Sequence, residues 1–136
     1  MQSETRKLWL ARLLIGLVLC WNLECALAFL WRPGDYAPGF ELAGGPGVAM
    51  VRGLGILFLM WNVPYALAAW HPRRQRTSLL EALAMQAIGL LGETALFFSL
   101  PAGHAALRGT AMRFILFDGA GLVLLCGAAL LGRGRP

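Results

Sequence analysis

Acidic residues are scarce in this chain: seven in 136, beside two histidines and three cysteines. Charged residues of either sign make up only 14% of it, where an ordinary soluble domain carries about 25%. That shortage excludes a water-soluble fold of this size. Cys20, Cys25 and Cys126 form no Cys-x-x-Cys pair, and Cys20 and Cys126 differ in expected membrane depth by roughly 10 Å, beyond disulfide reach. A thiol-disulfide oxidoreductase is therefore excluded, and the three read as small apolar packing residues. His71 and His104 fall in loops on opposite membrane faces, which excludes a bis-histidine haem within a bundle and leaves a metal only carboxylates to rely on. The sequence specifies no cofactor and no metal site. Gly-x-Ser-x-Gly elbows are absent, and Gly44-Gly45-Pro46-Gly47 opens no strand-turn-helix nucleotide unit.

What the chain has in abundance is apolar sequence, 58% of its residues. Four segments of roughly 20 or more mostly apolar residues, the length of a membrane span, run over about 8–30, 49–70, 79–100 and 109–131. They use most of the chain and leave no room for a soluble domain of the usual ~50 residues or more. The fold class expected is an all-α integral membrane protein, one four-helix bundle over residues 1–136. Basic residues, an apolar run and Ala26-Leu27-Ala28 imitate a cleavable signal peptide. The run is long for a signal, and the same tripeptide recurs at Ala66-Leu67-Ala68, so the first span is read as retained.

The net charge of +5 is a matter of topology. Arg6, Lys7, Arg12, Arg73, Arg74, Arg76, Arg133 and Arg135 flank the spans on one side, against Arg32 and Arg108 in the opposite loops. The positive-inside bias places both termini in the cytoplasm of a bacterial-type inner membrane. With no aromatic or glycine-rich recognition module among the basic residues, nucleic acid is not an expected partner. Membrane lipid is, with a homodimer or a larger membrane complex as candidate assemblies. The Pro- and Gly-rich outer loop 31–48 is long for a small bundle and carries Tyr36 and Phe40 as candidates for a lid over its mouth.

Comparison of the chain with itself yields short echoes. Glu24-Cys-Ala-Leu-Ala-Phe29 resembles Glu93-Thr-Ala-Leu-Phe-Phe98, and Arg52-Gly-Leu-Gly-Ile-Leu-Phe58 resembles Arg113-Phe-Ile-Leu-Phe117. These suggest a duplicated hairpin with a pseudo-two-fold axis along the membrane normal. A second echo, Trp21-Asn22 with Trp61-Asn62, fits neither that axis nor one depth and reads as coincidence or shared interface chemistry.

Glu24, Arg52, Glu93, Arg113 and Asp118 all fall in the outer half of the spans. Ionisable groups there cost several kcal/mol against lipid and should face one another or a wet cavity. They are expected to form one cluster, either a ligand site or a salt-bridge network, with one carboxylate left over. Asn62 and Gln86, at similar depth on adjacent spans, are expected to bond amide to amide. Pro64 should interrupt the second span's hydrogen bonding at the Met60 carbonyl. The leading functional expectation is a polar carboxylate and arginine pocket that binds a small amphipathic or lipid-like molecule, with acid/base chemistry open. An accessory subunit of a larger complex and a dimeric proton-coupled transporter are the alternatives.

Overall fold

The computed structural model describes residues 2–132; Arg133 and Arg135 lie outside them. The described chain is all helix, without strands. Helix α1 (Gln2–Trp31) is followed by a short helix α2 (Pro33–Tyr36) and a 3-10 turn (Ala37–Phe40), then α3 (Gly44–Trp70), α4 (Arg76–Ser99) and α5 (Ala105–Gly132). The four long helices are each long and apolar enough to cross a membrane, as a multi-pass membrane protein requires. At 1.5 Å per residue they measure about 36–45 Å, more than the ~30 Å hydrocarbon core. They accordingly start several residues before the apolar segments do, because helical hydrogen bonding does not stop where hydropathy falls.

The helices run up and down around a square. α1 packs against α3 and α5, α4 packs against α5 and less extensively against α3, and α1 and α4 stand at opposite corners. We call the end holding residues 31–48 the loop end and the other the terminal end. In the terminal half all four helices share one core, which includes Ile15 and Val18 of α1, Tyr65 of α3, Ala82 of α4 and Leu125 of α5. Arg12 Nε donates to the Ala69 carbonyl at 3.1 Å, capping the end of α3 from α1, and Arg73 pairs with Glu4.

The loop half is built differently. Its core gathers Phe29, Ala37 and Val51, with Cys25, Phe40, Leu54, Phe58 and Phe114 packed around them. α1, the loop, α3 and α5 all contribute; α4 does not. Past Gln86, α4 has no buried residue at all. The buried packing of α4 against α3 therefore belongs to the terminal half, and the loop-half core leaves α4 out.

Residues 31–48 form a strap across that end. Tyr36 packs on Phe29 at 5.0 Å between ring centroids, and Phe40 packs on Phe29 and Phe114 at 5.7 and 6.2 Å. Thr110 donates to the Gly39 carbonyl at 2.6 Å. Glu41, in the left-handed backbone region at φ 57°, pairs with His104 and accepts a 3.3 Å hydrogen bond from the Leu107 N–H. That N–H lies in the first turn of α5, where the backbone donors have no partner inside the helix. Glu41 thus caps α5 from another element, and its charge suits the positive end of the helix.

Candidate functional site

The inward-facing polar residues of the spans gather at one level. Gly55 of α3 lies against the Ala26 carbonyl, Phe29 and Leu30 of α1. Trp21 of α1 meets Phe117 of α5 edge-on at 6.0 Å. Gly89 of α4 lies against the Asp118 carboxylate of α5. Counting along the antiparallel helices from these contacts puts Asn22, Asn62, Gly89 and Asp118 close to a common plane near the middle of the bundle. The echo of Trp21-Asn22 in Trp61-Asn62 is corrected accordingly: α1 and α3 run antiparallel, and the Gly55 contact sets them in the register that brings the two asparagines level.

Within that layer Tyr65 donates its hydroxyl hydrogen to Gln86 Oε1 at 2.6 Å, with the Ala82 carbonyl 3.2 Å away. The Asn22 amide faces the same hydroxyl from α1. Gln86 Nε2 in turn donates to Asp118 Oδ1 at 2.9 Å. The expected bond between Asn62 and Gln86 is not formed. Asn62 Nδ2 donates to the Phe58 carbonyl of its own helix at 2.7 Å, while Gln86 is engaged at both ends of its amide, accepting from Tyr65 and donating to Asp118. Asn62 Oδ1 is buried with no hydrogen-bond partner.

Glycines make room for these side chains. A Cβ on Gly89 would overlap the Asp118 carboxylate, and one on Gly121 would come within 2.5 Å of Gln86 Nε2. α4 and α5 are joined by two reciprocal notches, each helix placing a polar side chain over a glycine of the other.

Glu93 lies four residues past Gly89, hence on the same face of α4 and one turn nearer the loop end. It is half-buried, as is Asp118, and close enough for the two charges to act on each other. No arginine joins them. Glu24, Arg52 and Arg113 are exposed on the outside of the bundle, and among the described residues no ion pair links any of the five. The expected single cluster thus separates into an inward pair, Glu93 and Asp118, and three outward charges. The two glutamates of the repeated segment occupy different environments, one exposed and one turned inward. Arg52, three residues beyond Gly55, stands opposite the last turn of α1, where a long side chain reaches the water interface.

No family model, no characterised protein and no solved structure matches the chain.

The site consequently rests on its own chemistry. Its acceptors are Glu93, the second carboxylate oxygen of Asp118, which lies over Gly89, and the buried Asn62 Oδ1. Its donors, Tyr65 O–H and Gln86 Nε2, are already spent on partners. Sequence reasoning missed Asn22 and Tyr65. The signal for Asn22 was the repeated Trp-Asn pair, and for Tyr65 its place one turn from Asn62 on the same helix face.

Proposed function

We propose that the chain is a multi-pass membrane protein that takes up a small amphipathic molecule from the α3/α4 side, its cationic amine head seated between Glu93 and Asp118 and its tail in the hydrocarbon. The observation that carries this reading is a pair of half-buried carboxylates, Glu93 and Asp118, that no ion pair among the described residues neutralises, near a buried acceptor without a partner, Asn62 Oδ1. Two carboxylates at membrane depth are costly unless a proton or a cation neutralises them, and an ammonium brings both charge and N–H donors. The α3/α4 side is the route in this reading, since α4 contributes nothing to the loop-half core and Trp61 of α3 is half-exposed. Any acid or base chemistry on a bound molecule would run through the same two carboxylates.

The test is photolabelling in nanodiscs with a single-chain alkyl amine carrying a diazirine in its tail, against the matched alcohol. The expected result is labelling of α3 and α4 around Trp61 and Gly92, favouring the amine by about tenfold, equivalent to ~1.4 kcal/mol. Glu93→Gln combined with Asp118→Asn should erase that preference. Equal labelling by amine and alcohol would remove the cationic head from the reading. Labelling confined to the bundle's outer surface would reduce the polar layer to a structural device.

A further inference from the structure

The outward charges point to a partner. Glu24 lies seven residues from the end of α1 and Arg113 eight residues from the start of α5, about 10 and 12 Å along the helices. α1 and α5 measure about 45 and 42 Å and overhang a ~30 Å hydrocarbon core, so both charges fall inside it. Both side chains are exposed, and neither takes part in an ion pair or hydrogen bond among the described residues. A lone monomer would hold both against lipid, where charged side chains ordinarily find a partner or face water.

Their placement says which partner. Trp21 and Phe117 touch across the α1/α5 groove. Glu24 is three residues beyond Trp21 on the same face of α1, and Arg113 is four residues from Phe117 on the same face of α5. Both run toward the loop end, so a carboxylate and a guanidinium flank one groove at nearly one depth. Between and below them lie half-exposed aromatic and aliphatic side chains, Trp21 and Leu17 on α1 and Phe117 on α5. A surface carrying one charge of each sign at one depth is complementary to itself under a two-fold rotation, the commonest symmetry of homo-oligomers.

We infer that the α1/α5 face seats a second copy of this chain, related by a two-fold axis along the bundle, with Glu24 of each copy meeting Arg113 of the other. An axis along the membrane normal keeps every residue at its own depth, so the pairing costs neither helix a shift toward water. The charges fix register and partner, and the aromatic strip supplies contact area. Arg52, level with the end of α1, takes no part. The inference stands apart from the amine site, which is reached from the α3/α4 side.

Reciprocal charge reversal tests it. Chains with Glu24→Arg carry two positive charges on the face, and chains with Arg113→Glu carry two negative ones. Each alone should lose self-association. Co-expressed with different tags, the two should associate at the wild-type level, since both cross-contacts of the mixed dimer are then of opposite sign. A salt bridge within one chain cannot behave so, because each chain would still hold two like charges. Failure of the mixed pair to associate, or undiminished self-association of either single variant, would overturn the inference. A second measurement needs no charge variant. Cys20, exposed and one turn from Glu24 on the same face of α1, should couple to Cys20 of the other copy with a short bis-maleimide in native membranes, in a Cys25→Ala, Cys126→Ala background. The complementary Cys20→Ala, Cys25→Ala chain, which keeps Cys126, should stay uncoupled. Absence of the Cys20 product at full reagent incorporation would likewise overturn the dimer.

Discussion

The two notches between α4 and α5 make stability depend on particular glycines. Gly89→Ala forces the Asp118 carboxylate to move, and overpacking of this kind costs about 1–3 kcal/mol in well-packed cores. Gly92→Ala, one turn away where a Cβ meets nothing, should instead be neutral or stabilise by roughly 0.5–1 kcal/mol through helix propensity. Thermal unfolding in detergent checks both, and a smaller loss for Gly89→Ala than for Gly92→Ala would contradict the close approach. Asn62 gives the opposite sign. Its buried Oδ1 lacks a partner, and such a group costs about 1–3 kcal/mol. Asn62→Leu is expected to raise the unfolding temperature and to weaken amine labelling, because the acceptor that costs stability is one the ligand would use. At this scale the sequence showed residue types and depths, and directions only in part. The small and polar stripe Ala82, Gln86, Gly89 and Glu93 marks the inward face of α4, and of the matching stripe on α3 Gly55 and Asn62 are buried while Arg52, Leu59 and Ala66 are exposed. Glu24 and Glu93 look alike in sequence while one points out and the other in.

At the scale of elements, the apolar segments located the four long helices to within about one and a half turns. They missed the overhangs and the short helices inside residues 31–48. Proline punctuation reads as loop, yet Pro33 and Pro38 stand at the first turns of α2 and the 3-10 turn, where a missing N–H costs nothing. Pro64 does not end α3, which continues to Trp70. The strap is held to α5 at Thr110 and through the Glu41 cap, which lies outside the spans. The hydrogen bond from His104, helped by the Leu107 N–H, holds the Glu41 carboxyl below its ordinary value against the opposing effect of desolvation. A depressed carboxyl pKa contributes stability that is present above the unfolded value and lost as pH falls through the folded one. Amides of the strap should therefore exchange faster with solvent as pH is lowered through and below the normal carboxylate range, after correction for intrinsic exchange. Glu41→Gln should bring that faster exchange to neutral pH. An unchanged pattern in the variant would show the aromatic contacts alone hold the strap.

At the scale of the whole molecule, the fold class was legible because the shortage of charge and the four apolar runs leave one architecture. The order of helices around the square was not, since any of several rings buries similar apolar surface. The basic residues at the terminal end predict that this end faces the cytoplasm and residues 31–48 the outside. A single cysteine placed at Gly45, with Cys20, Cys25 and Cys126 replaced by alanine, should react with a membrane-impermeant maleimide added to intact cells; protection would reverse the orientation.

The departure of α4 from the core past Gln86 also has a mechanical side. From Gln86 to Ser99 the helix runs about 20 Å, held near one end by the Tyr65 and Asp118 hydrogen bonds and at the other by Arg108 of α5, which donates to the Leu100 carbonyl at 3.1 Å and lies over the Phe97 ring. It is a beam pinned at both ends. Such a beam yields by bowing at its middle rather than by swinging at its tip, and the stiffness that resists a bulky tail is then shared between Gln86 and Arg108, side chains that need never touch the tail.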